Sequence, residues 1–589
     1  MPEYLSPGVY VEEFDSGAQP LEGVSTSTAG FIGVAQRGPA EGLPQLVTSF
    51  ADFQRQYGGY LSENAFGSYR YLAYGVEHFF LNGGSRAYIM RVAPQNAAQA
   101  AVELPNGSGQ SPLLQITAKN PGSWGNQIRI KLSPASKART QILEIIGDPA
   151  SSKKYKVKNC AGFNPGDSVA FMSGGATQYN RVLVSQDDII ELAQPLDGGQ
   201  DVVDQKLLPE KVLRTAEFTL DVYFGDEAET FSNLSLNVSA ANHVEKILSR
   251  SNLISVKDNS QGATADNLPP FQAITGLAED TVKDEKSKFV SELTGGSDGA
   301  VSSLSPADFM GEDRGPGKRT GIQAFIDNDE VSVIAVPGIT DPNVQLSLVA
   351  HCENLRSRFA LLDVAVEKTK VADVESHRNI FDSNYAAIYH PWLQVFDPLE
   401  KRSVHIPPSG SMAGIYARSD NTRGVHKAPA NEVVRGATGL SVQYNKGEQD
   451  ILNPKGVNLI RYFTGQGIRV WGARTASSNG LWKYVNVRRL FIFLEESIKR
   501  GTNWVVFEPN DERLWARVSR TIDAFLTRVW RDGALEGGSP AEAFYVQIGR
   551  TTMTQDDIDN GRLICIIGVA PVKPAEFVIF RITQKTREQ

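Results

Sequence analysis

Hydrophobic positions change period along the chain, and each change predicts an element. Near the start Val9, Tyr10, Val11 and Glu12 alternate in strand fashion before a small, polar stretch at residues 16–20, the pattern of an extended arm ahead of a domain. Residues 28–35 mix glycine with apolar side chains, as in a buried strand under close backbone packing. Between 69 and 81, Leu72, Val76, Phe79 and Phe80 recur at helical spacing, and Asn82, Gly83 and Gly84 supply a left-handed stop. The β-branched and aromatic run at 86–92 then predicts a strand.

From about 100 to 290 the pattern shifts to short β-like runs punctuated by glycine and asparagine, which predicts a β-rich insertion. Within it, residues 166–171, 181–184 and 189–192 suit the turn-linked strands of a small barrel. Residues 259–267 suit a loop.

The middle of the chain alternates strand and helix. The apolar run at 331–336 suits a strand buried on both faces, with its stop at Pro337 and Gly338. A helical pattern at 344–358 and further runs at 359–364 and 385–389 follow, which predicts parallel strands with right-handed crossovers. Two long helices mark the C-terminal third. The first presents Val487, Leu490, Phe491, Leu494 and Ile498 on one face. The second is expected to start at an Asn510 N-cap, carry Leu514, Val518, Ile522, Phe525 and Val529 as its stripe, and stop at Gly533. Residues 577–582 read as a terminal strand.

Length adds that 589 residues exceed what one core supports, so several domains are expected. A net charge of -8 argues against a nucleic-acid coat, which needs clustered cations. Three scattered cysteines, Cys160, Cys352 and Cys565, argue against a disulfide framework and for a reducing compartment. The first residues lack a basic segment followed by an apolar one, so no secretory signal is expected. No run approaches the ~18 apolar residues of a membrane helix, so membrane insertion is not expected.

Candidate chemistry is sparse. Residues 315–320 carry Gly317-Lys318, but Arg319 stands where a phosphate loop needs Ser or Thr, and Glu312 where it needs glycine. His351 and Cys352 are neighbours on a helix and so point to different faces, which argues against a metal site. No cofactor is expected. Trp471, Trp482, Trp504, Trp515 and Trp530 cluster in the C-terminal third and suit a dense core or interface there.

Several segments together resemble the phage tail sheath protein family, which also supplies the sheaths of extracellular contractile injection systems. They are residues 4–13, 118–126 (Ala-Lys-Asn-Pro-Gly-Ser-Trp-Gly-Asn), 293–299 and Val336-Pro337-Gly338. The most specific block runs from Pro407 through Gly410-Ser411-Met412-Ala413-Gly414 and Arg418-Ser419-Asp420 to Asn431, and residues 465–475 also look like the family.

The resemblance implies an α/β multi-domain chain, with a central parallel α/β sheath core of subtilisin-like fold without catalysis. It also implies a variable insertion facing outward and extended terminal strands that add to neighbouring subunits. The domains expected are an N-terminal arm (1–25), the first part of the core (26–100), the insertion (101–290), a central α/β domain (291–460), a C-terminal α/β domain (461–570) and a C-terminal strand arm (571–589).

The partners implied are further copies in a helical sheath, an inner tube protein, and baseplate and tail terminator or cap proteins, in a particle assembled in the bacterial cytoplasm. The residues expected to link subunits are Val9, Tyr10, Val11, Glu12, Phe577, Val578, Ile579 and Phe580. Arg488, Arg489, Lys499 and Arg500, which flank an apolar stripe, are expected to face away from the core and grip the tube.

Two other readings are a non-contractile shell or baseplate protein and a serine protease. The protease reading rests on Gly410-Ser411-Met412-Ala413, which mimics the surroundings of a subtilisin nucleophile. A triad also needs a histidine and an orienting carboxylate, and none of the seven histidines stands in the His-Gly-Thr-His setting of those enzymes. The expectation is therefore a non-enzymatic, mechanical subunit.

Overall fold

Segments from both ends of the chain build one sheet. β1 (Ala29–Val34) and β3 (Ala87–Val92) lie beside β4 (Val333–Ala335), β5 (Phe359–Asp363), β6 (Ala386–His390) and β7 (Val457–Phe463), all parallel. β2 (Gln45–Val47) and β8 (Gly467–Val470) close the two edges antiparallel, giving eight strands in the order β2-β3-β1-β4-β5-β6-β7-β8. β1, β4, β5 and β6 are buried along their whole length, the state that near-continuous apolar runs predict. Residues 21–105, 112–173, 176–203, 212–260 and 291–579 are described in this computed structural model.

Five helices position the sites below: α1 (Leu72–Leu81), α2 (Pro342–Leu355), α3 (Ser409–Arg423), α4 (Val485–Gly501) and α5 (Glu512–Arg531). α1 and α3 meet closely because glycines stand at the crossing. A Cβ at Gly410 would lie 2.2 Å from the Gly75 carbonyl oxygen, and one at Gly414 2.4 Å from that of Phe79. α5 carries its stripe inward at Leu514, Val518, Ile522, Phe525 and Val529. Its N-cap is Asp511, not Asn510: the Asp511 carboxylate accepts from Leu514 N at 2.8 Å, while Asn510 is drawn to the Trp515 indole at 2.7 Å. A short antiparallel pair, β9 (Phe544–Ile548) with β10 (Cys565–Val569), packs on α5.

The described residues fold as two compact units, one drawn from residues up to 35, 41–92 and 305 onward, the other from 36–40 and 93–304. The second contains a closed six-stranded barrel in the order Ala176–Gln186, Ile189–Leu192, Lys154–Val157, Arg139–Ile146, Val212–Thr215, Ser168–Ser173. Alternation fills it: Ile142, Tyr155, Val169, Phe171, Val182, Ile190 and Leu213 are all buried. A four-stranded and a three-stranded antiparallel sheet complete this unit. The loop expected at 259–267 lies, from 261 onward, outside the described residues.

Candidate functional site: the anchorage of the chain ends

Asp363 ties together two of the motifs noted above. It ends β5, is fully buried, and accepts from Ser409 N at 3.0 Å, Ser409 Oγ at 2.7 Å and Gly338 N at 3.1 Å. It thereby caps α3 and fixes the turn after β4. Burial pushes its carboxyl up to about 6, against the pull of the Ser409 and Gly338 bonds.

Further along α3's first turn, Ser411 Oγ lies 3.2 Å from Nδ1 of His78 on α1. Motif comparison missed this pairing, because the two residues lie 333 positions apart. Both are buried, and burial lowers His78 to about 4. Among the described residues no carboxylate is hydrogen-bonded or ion-paired with His78. The pair is therefore a packed hydrogen bond between helices, lacking the solvent access and the orienting carboxylate that a hydrolytic triad uses.

The chain ends are fastened beside α3 and α4. On the N-terminal side Leu21 is buried, Val24 N donates to Ser497 Oγ at 3.0 Å, and Thr26 Oγ1 donates to Asp420 at 2.6 Å. On the C-terminal side the Glu576 carboxylate accepts from Arg474 at 2.8 and 2.6 Å, from Asn453 at 2.8 Å and from Tyr484 at 3.2 Å. Lys483 stands 3.8 Å away. Phe577, Val578 and Ile579 follow, each at least 69% exposed and in no strand. Phe577 and Val578 border a cavity of about 880 Å³ walled also by Arg423, Lys427, Arg461 and Trp471. Residues 9–12 and Phe580 lie outside the described residues.

Two of the four expected tube-gripping cations are buried, which corrects their outward assignment. Arg489 sits between Asp420, at 2.9 and 2.6 Å, and the Thr26 carbonyl at 2.9 Å, with its guanidinium 4.6 Å from the Tyr416 ring centroid. Arg488 lies 3.6 Å from the Trp482 centroid and 4.7 Å from that of Tyr385, and burial lowers its pKa. The stripe on α4 is only part of its buried surface, since Asn486, Glu496 and Ser497 are buried as well. At Arg488 and Arg489, therefore, the flanking positions meet protein, not water. Lys499 and Arg500 are exposed and pair with Glu496 at 3.3 and 3.5 Å.

The cationic face that does reach solvent lies on α5. Arg513, Arg520 and Arg531 are exposed and Arg517 half-buried, spaced so that they share one side of the helix opposite the apolar stripe. Arg517 pairs with Glu508 at 2.8 Å; the other three form no ion pair among the described residues.

A buried α/β sheet, with Thr26 held at Asp420 on one side and Glu576 held at Arg474 on the other, is the frame in which comparison with known proteins places this chain. Residues 315–476 match the phage tail sheath protein central domain and residues 477–585 the phage tail sheath C-terminal domain. The chain is 25% identical over 373 residues to the tail sheath protein of Escherichia phage P2, covering 61% of this chain and 88% of that one. It is 27% identical over 278 residues to a prophage major tail sheath protein of Pseudomonas aeruginosa, covering 45% and 69%. Over 99% of both chains its fold matches the sheath of an extracellular contractile injection system, PVC, in the contracted state, with a TM-score of 0.52 at 20% identity. Residues 315–585 thus carry the central and C-terminal domains of phage tail sheath proteins.

Proposed function

We propose that the protein is the repeating subunit of a contractile sheath, polymerising helically around an inner tube and shortening to drive that tube through a target envelope. The observation that carries this reading is the pairing of tail sheath domains over residues 315–585 with a chain end anchored at Glu576 and apolar beyond it. Unpaired apolar segments beyond a fixed root suit strand addition to a neighbour, where main-chain bonds supply affinity. β9 and β10 pair only with each other as strands among the described residues, which leaves an edge on each to receive such a segment.

The work of contraction comes, on this reading, from assembly in a metastable extended state that relaxes to a better-packed one, with the arms as tethers. The core acts as scaffold without catalysis, in the subtilisin-like manner the family resemblance implies. The β-rich insertion faces outward, and baseplate and terminator proteins cap the cylinder, which assembles in the bacterial cytoplasm.

For the tube, the arginine row on α5 replaces Arg488 and Arg489, with Lys499 and Arg500 retained. Each exposed contact contributes only ~0 to 1 kcal/mol, but a cylinder repeats it in every copy. Electron microscopy of the purified chain tests the reading. Long hollow cylinders are expected; discs or rings would favour a static baseplate part, and dispersed monomers with peptidase activity an enzyme.

A further inference from the structure

Between α4 and α5 the chain holds an aromatic side chain out into solvent. Phe507 is fully exposed at a φ of 70°, a left-handed conformation that is sparsely populated for a bulky residue, and Val506 beside it is 63% exposed. The loop is firmly built. Glu508 pairs with Arg517 at 2.8 Å, Asn510 accepts from Trp515 and donates to the Arg562 carbonyl at 3.0 Å, and Asp511 caps α5. Backbone bonds from Val505 N to Thr502 O and from Glu508 N to Val505 O close the turn. A rigid mount that presents an unshielded phenyl ring is the form of an interface anchor.

The same unit carries a matching hollow. A cavity of about 510 Å³ opens between α4 and α5, with Leu490, Phe493, Phe525 and Val529 among its walls and Arg423 and Arg528 at its charged side. Asp420, which also borders it, is engaged by Arg489, so Asp532 is the remaining carboxylate of the lining. The knob brings the exposed Glu512 with it, opposite in sign to Arg423 and Arg528, and arginine favours an aromatic face. Knob and hollow do not meet within one chain. Phe507 is fully exposed and so does not fill the hollow of its own chain, and α5 runs about 25 Å along its axis from Glu512, after the Phe507 loop, to Val529 in the hollow.

We propose that Phe507 of one copy seats in this hollow on the next copy, a head-to-tail contact that repeats along the sheath. A knob and a hollow at opposite ends of one rigid helix make a heterologous contact, and such contacts propagate as open helices when their rotation does not close. The contact rests on the sheath reading and adds to the arms a second, side-chain-specific link.

The test uses the full chain. Phe507→Ala and Phe507→Asp are expected to melt at the wild-type temperature, because the side chain buries nothing in the free subunit. The critical concentration for cylinder formation should rise at least about tenfold, the loss expected for one buried aromatic anchor. Phe507→Cys and Arg423→Cys, mixed and oxidised, should form a covalent link between copies that neither variant forms alone. Cylinders assembling at the wild-type concentration from Phe507→Asp, or cylinders of the mixed variants without that link, would overturn the contact. A wild-type chain that forms no cylinder, while the cysteine pair still joins two copies, would overturn the sheath reading and leave the contact standing.

Discussion

The guanidinium of Arg489 lies 2.6 Å from the carboxylate of Asp420, and both side chains are at most 4% exposed. The pair joins α4 to α3, and Thr26, ahead of β1, contacts both partners: its hydroxyl donates to Asp420 and its carbonyl accepts from Arg489. Removing one charge leaves the other buried and uncompensated, at a cost of about 3–5 kcal/mol. Arg489→Ala and Asp420→Ala should each lower the melting temperature sharply, and Arg489→Met with Asp420→Leu should recover most of the loss. A melt of Arg489→Ala indistinguishable from wild type would show that the pair is not structural. Charge reversal at Arg489 is accordingly expected to unfold the subunit.

Acid should loosen the first unit. Burial lowers His78 and His377 to about 4, and His351 and His390 to about 3, from an ordinary value near 6.5. The unfolded chain binds more protons than the folded one in the interval between. Stability is thus fully present above pH ~6.5 and falls toward pH 4, at up to about 1.4 kcal/mol per pH unit for each histidine. Asp363 opposes this: its folded value near 6 lies above the ordinary 3.8, so its contribution grows as pH falls through that window. Burial raises the carboxyls of Glu77 and Glu495 in the same sense, and the four histidines outweigh these three. The melting temperature should fall steadily from pH 7 to 4.5, and a flat or rising profile would contradict the assignment.

Truncation separates folding from assembly. Deleting residues 1–15, or ending the chain before Glu576, should leave folded monomers, seen as a wild-type circular dichroism spectrum, that do not polymerise. Glu576→Ala removes the carboxylate that Arg474, Asn453 and Tyr484 hold. It should weaken assembly in the same direction, while cylinders of normal length from both truncations would exclude the arms as the link.

Tube capture should depend on α5. Arg513→Glu with Arg520→Glu changes exposed side chains, so the fold should hold and sheaths should form with little or no tube inside. Tube occupancy counted in micrographs decides this, and unchanged occupancy would remove the row from the interface.

Contraction should need neither nucleotide nor the Ser411 hydroxyl. Extended particles are expected to contract on mild heat or acid in nucleotide-free buffer, releasing heat in a calorimeter without re-extending. Ser411→Ala should contract as wild type does. Its cost, about 1–3 kcal/mol for leaving His78 without its partner, should appear in the melt of the monomer. A requirement for ATP, or failure of Ser411→Ala to contract, would defeat the stored-energy account.

Local periodicity by itself determined the elements of this protein: the helices at 72–81 and 512–531, the buried runs of β4 to β6 and the alternating strands of the barrel, since each depends on neighbours a few residues away. The motif blocks carried the resemblance to phage tail sheath proteins that the domain matches over residues 315–585 share. Tertiary structure alone decided which polar groups are inside. Arg489 reads as a flanking cation until Asp420, 69 residues away, and Thr26, 463 residues away, close over it. Ser411 reads as a free hydroxyl until His78 arrives from the other end of the chain, and Asp363 as an ordinary strand end until two distant turns donate to it. Burial of a charge or a hydroxyl is set by partners that the fold assembles, and the spacing of residues along the chain carries no record of them.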